Sequence, residues 1–117
     1  MMQSDLVSDD KAAVPFSIII PAFNEENGIS KVLEELVGVV VNDRLECEII
    51  VVDDGSVDNT VSEIEKHDVC LIRHSINRGY GAALKTGIRH AKYDWIVITD
   101  ADGTYPNDRI KDLLSKG

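Results

Sequence analysis

The chain has 117 residues, 44% of them hydrophobic and 5% aromatic, which is enough for one ordinary globular core and makes one domain the expectation. Twelve Lys and Arg against 21 Asp and Glu leave a net charge of -9. That excludes a broad electrostatic attraction to nucleic acid or anionic lipid, although an acidic chain still binds phosphates through metal ions. Cys47 and Cys70 are too few and too far apart for a zinc site or a disulfide framework, and read as small buried apolar residues of a reduced, cytoplasmic protein. The apolar stretches fall far short of the ~20 residues that span a bilayer.

Residues 1–15, MMQSDLVSDDKAAVP, are polar and without period, and read as a flexible tail. From Phe16 onward short β-branched runs alternate with segments of helical spacing. The runs FSIII, CEIIVV, VCLIR and WIVIT are expected to be buried strands, the first halted by Pro21. Between the first two, Ile29, Val32, Leu33, Leu36, Val37 and Val40 trace one face of a helix that Asn24 is placed to cap, with Glu25 and Glu26 in its first turn. Val57, Val61 and Ile64 give a shorter helix a buried stripe, and Leu84, Ile88 and Ala91 line a face of the helix that follows NRGYG. Pro106 can start a last helix over residues 108–115. Strand and helix alternating in this way imply right-handed crossovers, hence an α/β parallel sheet covered by helices.

In such a sheet the ligand crevice lies outside the carboxyl ends of the strands, where PAFNEE, DDGS, NRGYG and DADG stand. Asp100 and Asp102 are two apart in extended backbone, so both carboxylates can point to one side. A hard divalent ion, Mg or Mn, relieves the repulsion of such a pair and is completed by water and phosphate oxygens. Asp53 and Asp54 end their run in the same way and can accept from ribose hydroxyls or a base nitrogen, or else cap the next helix. Phe23 offers a flat apolar surface, and Glu25 either meets a polar ligand edge or supplies a favourable charge to a helix start. In NRGYGAALKTG the glycines permit close backbone approach, and Arg78 or Lys85 could meet phosphate, but Leu84 stands where a dinucleotide fingerprint needs its third glycine. His67, His74 and His90 have no partner at ligand spacing and receive no role.

Together FSIIIPAFNEE, EIIVVDDGSVDNT, NRGYGAALKTG and WIVITDADGTYP, in this order, resemble the family 2 glycosyltransferases, especially those that make polyprenyl- or dolichyl-phosphate sugars. The resemblance covers residues 16–117. It implies a glycosyltransferase A, Rossmann-like fold, a UDP- or GDP-hexose donor and a divalent metal held through the D-x-D. Carried over by position, it puts Pro21, Phe23 and Glu25 on the nucleotide, Val52 and Asp54 on its base or ribose, Asp100 and Ala101 at the donor, and Asp102 on the metal. Phe23 stands where the lipid-phosphate members often have Tyr, and Thr104 where they often have Gln. Family members continue well past the D-x-D into an acceptor-binding half. Residues 16–117 are therefore expected to be the donor-binding half-domain, truncated at its C-terminus, of an enzyme for metal-dependent transfer of a hexosyl group from a nucleotide sugar to an acceptor, with polyprenyl phosphate favoured. This chain on its own is expected to bind donor without completing the transfer. A lipid-phosphate acceptor would place the protein at the cytoplasmic face of a membrane, and an open sheet edge would favour association with membrane or a second chain.

Two rival readings come from other classes. VVDD at one strand end and Asp100 at a later one also resemble a phospho-accepting receiver module, which would leave FSIIIPAFNEE unused. The other rival is a catalytically inactive donor-binding fragment.

Overall fold

A computed structural model of the protein describes residues 14–101. Seven elements follow one another: β1 (Phe16–Ala22), α1 (Ile29–Asn42), β2 (Cys47–Asp53), α2 (Thr60–Ile64), β3 (Cys70–Arg73), α3 (Tyr80–His90) and β4 (Trp95–Ile98). The strands form one sheet in the order β3-β2-β1-β4, with every pairing parallel. Residues 1–13 of the expected tail, the helix over residues 108–115 and Asp102 lie outside the described residues.

Alternation along β1 and β2 sorts the core into two faces. Phe16, Ile18, Ile20, Ile49 and Val51 point toward α1 and α2, where they meet Ile29, Val32, Leu33, Leu36 and Ile64. Ile19, Ile50 and Val52 point the other way, toward Ala83 of α3, with Leu84 and Ala91 partly buried beside them. The three isoleucines of β1 are at most 1% exposed, each stabilising the fold by about 1.5–3 kcal/mol through transfer from water. Ser17 sits among them without penalty because its hydroxyl donates to Glu48 Oε2 at 2.6 Å.

Several local expectations are corrected. Pro21 does not halt β1, which continues to Ala22 with Pro21 opposite Val52. Ile19 accepts from Thr99 N on the β4 side, so the nitrogen of Pro21, two residues on, also faces that side, where β4 has already ended and no donor is needed. Helix α1 begins after Gly28 rather than at Asn24, leaving Glu25 and Glu26 outside it. Val57 is 88% exposed and adds nothing to the stripe of α2, which is a single short turn. Ile88 is exposed because α3 meets the sheet through Ala83 and Gly87. Trp95 and Ile98 are half exposed because β4 pairs with β1 alone among the described residues. Cys70 is exposed, while Cys47 packs against the core and its thiol is pushed up to about 11 by burial, then by the charge of Glu48.

Gly87 fixes how closely α3 approaches. A Cβ there would lie 2.5 Å from Ile19 Cγ2, a methyl on the branched Cβ of a fully buried strand residue whose χ1 is stiff. Gly87→Ala is therefore expected to cost about 1–2 kcal/mol net, overpacking outweighing the gain in helix propensity. Gly38→Ala in α1, where a Cβ meets nothing, should instead stabilise by up to ~1 kcal/mol. Urea denaturation of both variants checks the contrast, and equal shifts would refute the close approach.

Candidate active site

Chain order runs from β1 outward through β2 to β3, then returns to the far side of β1 for β4. That reversal makes a switch point between β1 and β4, and the crevice of an open parallel sheet forms outside the strand ends at such a point. A cleft of about 440 Å³ is found there. Pro21, Ala22, Phe23 and Glu25 enter it from β1, Asp54 from β2, Asn77, Gly79, Tyr80 and Ala83 from the start of α3, and Asp100 and Ala101 from β4.

The first two loops are sewn together. Asn24 adopts φ 50°, a left-handed conformation that asparagine tolerates better than most residues. Its amide donates to Ser56 Oγ at 2.8 Å, and its side-chain Oδ1 accepts from Val57 N at 3.0 Å. Glu25 N donates to Thr60 Oγ1 at 2.8 Å, and Asn59 N donates to Glu26 Oε1 at 2.9 Å. Asn24 is thus a clamp between loops, not a helix cap, and the clamp sets Phe23 and Glu25 at the cleft. Asp58 completes it. Burial would raise its carboxyl, but hydrogen bonds from the Thr60 hydroxyl, Thr60 N and Glu26 N hold it below the usual carboxylate range.

The two adjacent aspartates separate. Asp53 is 1% exposed and does not line the cleft; its Oδ2 accepts from Ser56 N at 3.0 Å, closing the turn after its own strand. Val52 is likewise buried, against α3, and absent from the cleft wall. Asp54 does line it. Its Oδ1 lies 2.8 Å from His74 Nδ1 and accepts from Arg78 N at 2.9 Å, while Oδ2 accepts from Gly79 N at 2.9 Å. Burial pushes this carboxyl up, and those three hydrogen bonds, with the charge of His74, more than reverse it, leaving Asp54 below its ordinary value. A carboxylate has about four accepting positions. With three taken by the protein, Oδ2 retains one.

His74, given no role by spacing, is the residue that sequence reasoning missed. The signal was register: Asp53 pairs with Arg73, so the residues that follow them stand side by side at neighbouring strand ends. NRGYG is likewise more than punctuation, because it brings the Arg78 and Gly79 amides to Asp54. The side chains of Arg78 and Lys85 do not line the cleft. Tyr80 does, giving a second aromatic surface in addition to Phe23.

Asp100 stands at the mouth on the β4 side, and its expected partner Asp102 is outside the described residues. Among the described residues no group of three or more His, Cys, Asp or Glu side chains is arranged to hold a metal. The chemistry of the cleft's charged side chains, Glu25, Asp54 and Asp100, is all carboxylate oxygen, which suits a hard divalent cation and no soft one. Among the described residues no helix is long and apolar enough to cross a membrane.

The glycosyl transferase family 2 model matches residues 17–116. A dolichyl-phosphate beta-glucosyltransferase of Trichomonas vaginalis is 36% identical over 104 residues, covering 80% of this chain and 32% of that protein. The mannosyltransferase of Pyrobaculum calidifontis, solved with GDP-Man and Mn2+, superposes with a TM-score of 0.60 at 30% identity, over 80% of this chain and 29% of the other. TarS of S. aureus, residues 1–349, in complex with UDP gives a TM-score of 0.69 at 25% identity, over 86% of this chain and 31% of the other. The chain spans 32% to 44% of the length of the first curated relatives it matches. The fold of the described residues is that of the glycosyltransferase A enzymes, β1 with its PAFNEE loop stands at the centre of the sheet where a receiver reading left it idle, and the chain belongs to glycosyl transferase family 2.

Proposed function

We infer that the protein contributes the donor site for transfer of a hexosyl group from a nucleotide sugar, UDP- or GDP-linked, to an acceptor, with a polyprenyl phosphate favoured. The observation that carries this is the convergence of Glu25, Asp54 and Asp100 with Phe23 and Tyr80 on one cleft at the β1/β4 switch point. Phe23 and Tyr80 supply flat faces for a base, and Asp54 supplies an accepting oxygen for the nucleoside. Pro21, Glu25, Asp100 and Ala101 hold the remainder of the donor, while the buried Asp53 and Val52 shape the floor behind Asp54. Asp100 and Asp102 would hold a divalent ion, Mg or Mn, whose chemistry is to neutralise charge on the departing diphosphate. The names of the dolichyl-phosphate relative and of the complex with GDP-Man and Mn2+ support the acceptor class and the metal.

In the transfer, the bond between the anomeric carbon and the diphosphate oxygen breaks and a bond to the acceptor oxygen forms. A phosphate monoester, with a second pKa of about 6, is anionic at pH 7 and attacks without a strong protein base. The protein's part is to hold the donor in line, the effect of orientation. A lipid acceptor would set the reaction at the cytoplasmic face of a membrane.

Calorimetric titration of the chain with UDP-glucose and GDP-mannose, in Mn2+ and in EDTA, tests this. One nucleotide sugar should bind, and EDTA should weaken it by about 1 kcal/mol or more, the scale of a charge pair near a protein surface. Equal affinity in both media would overturn the metal, and binding of neither sugar would overturn the donor site.

A further inference from the structure

We propose that His74, held by Thr86, is a positioning residue of the nucleotide site: it fixes the Asp54 carboxylate so that one accepting position of Oδ2 is left for the ligand. The inference rests on the reading that Asp54 meets the nucleoside. It adds a residue just past the end of another strand, and one on a helix, to what orients that contact.

The argument starts from donors and acceptors. His74 is 8% exposed, and both ring nitrogens are engaged: Nδ1 lies 2.8 Å from Asp54 Oδ1, and Nε2 lies 2.8 Å from Thr86 Oγ1. A neutral imidazole carries one N–H and one lone pair, whereas a hydroxyl both donates and accepts. Asp54, as a carboxylate, only accepts. The satisfied arrangement of a neutral ring therefore has the proton on Nδ1, donated to Asp54, and the Thr86 hydroxyl donating to Nε2. In the protonated ring, whose charge adds to the hold on Asp54, Nδ1 still donates to Asp54 and Nε2 donates to the hydroxyl. The other tautomer would set a lone pair of Nδ1 against a lone pair of Oδ1. Asp54 selects the ring form that carries its proton on Nδ1, and Thr86, fixed on α3, anchors Nε2.

The consequence falls on the carboxylate. Oδ1 receives the ring N–H and the Arg78 amide, so both its accepting positions are used. Oδ2 receives the Gly79 amide alone and keeps one. Three anchors on the end of β3 and the start of α3 determine the plane of the group and which oxygen remains open. Without the ring donor, Oδ1 would regain an accepting position and the carboxylate would be held by the two amides alone. Its preference for the charged form would also weaken, since a donor to the anion has gone.

The test uses the whole chain with UDP and GDP as probes, in Mn2+, by calorimetry across pH 4 to 7, with thermal melts of each variant. His74→Leu removes the donor. His74→Asn restores one, because its amide nitrogen can take the place of Nδ1. Thr86→Val leaves the ring donor but removes the anchor of Nε2, and Asp54→Asn reports on the underlying reading. Glu25 and Asp100 line the same cleft, and Asp53 lies next in the chain. All three are common to every variant, so a change in the acid limb between His74 variants belongs to the Asp54 pair.

His74→Leu should bind the preferred nucleotide roughly tenfold more weakly, the worth of one hydrogen bond to a charged group. Its affinity should begin to fall at higher pH than that of the wild type. His74→Asn should recover most of the affinity and the wild-type limb, and Thr86→Val should lie between. Wild-type affinity and an unmoved limb in His74→Leu, with binding lost in Asp54→Asn, would overturn the positioning role alone. Equal losses in the Leu and Asn variants without a moved limb would also overturn it, leaving a packing role. Undiminished binding by Asp54→Asn would overturn the nucleoside reading and this inference together. Should His74→Leu melt below the working temperature, Thr86→Val carries the decision through the anchor: weakened nucleotide binding supports the proposal, and wild-type affinity overturns it.

Discussion

Gly55→Ala is expected to be among the most damaging single-methyl substitutions in this protein. Gly55 has φ +80°, and a Cβ there would stand 2.6 Å from both Asn77 N and the Ile76 carbonyl carbon. The backbone conformation alone costs an L residue about 1–3 kcal/mol. The overlap is with main chain, which cannot rotate away, so a total of about 3 kcal/mol or more is expected, with Tm lowered on the order of 10–20 °C for a domain of this size. The damage should reach the site. Ile76 and Asn77 lead directly into Arg78 and Gly79, whose amides hold Asp54, so displacing them should weaken nucleotide binding beyond the loss of folded protein. Gly81→Ala is the control, since its Cβ would meet nothing and alanine favours the helix. Circular dichroism melts and a nucleotide titration on the two variants decide the matter. An alanine at position 55 that melts with the wild type would refute the close approach of the two loops.

Asp54→Asn should come next in size. Three N–H groups converge on the carboxylate, and an amide offers them one oxygen while turning its NH2 toward at least one donor. Losing one hydrogen bond to a charged acceptor costs about 1.5–3 kcal/mol, and the opposed donors add to it, so about 2–4 kcal/mol of stability should go. Nucleoside affinity should fall roughly tenfold or more with it. The pH dependence has a definite sign. The folded Asp54 carboxyl lies below its unfolded value of about 3.9. Its contribution is thus fully present above that value and disappears as pH falls through the lower, folded one. The stability gap between wild type and variant should be level from neutral pH down to about 4 and close below it. A gap that closed on the alkaline side would contradict the assignment. Asp102→Asn differs in kind: on the proposed reading it lowers metal and diphosphate affinity together and leaves nucleoside binding intact.

What could be read without coordinates was whatever depends on period. The runs of β-branched residues and the stripe from Ile29 to Leu36 state which side chains are buried together, and the structure places them so. Periodicity says nothing about neighbours. It could not place β4 beside β1, and with that went the half-exposed Trp95 and Ile98. Single-turn α2 carries too little pattern to orient Val57, and a helix that approaches through glycine, as α3 does at Gly87, leaves Ile88 outside. The cleft was legible as a location, because strand ends collect ligands, and so were Phe23, Glu25, Asp54 and Asp100 as candidates. Asp53 and Val52 were not separable from their neighbours, since alternation decides which of two adjacent residues turns inward. Asn24 and His74 act across loops through contacts between residues some twenty to thirty positions apart, for which no local spacing stands.

The strand order also bears on the sequence in which the molecule assembles. β1 to β3 with their helices are joined by short connections, whereas Phe16 meets Trp95 from the opposite end of the described chain. Closing that long loop exacts the largest entropy for no more paired residues than β3 gains from a much shorter connection, since β4 brings four residues and, among the described residues, one neighbouring strand. The nucleus is therefore expected in β1, α1 and β2, with β4 zipping on late and fraying first when the protein breathes. Asp100 rides on that strand. The cleft is then expected not to be fixed in time: its β1 and β2 walls should persist through local opening, while the wall that carries Asp100 should come and go with the amides of β4, which hydrogen exchange would show.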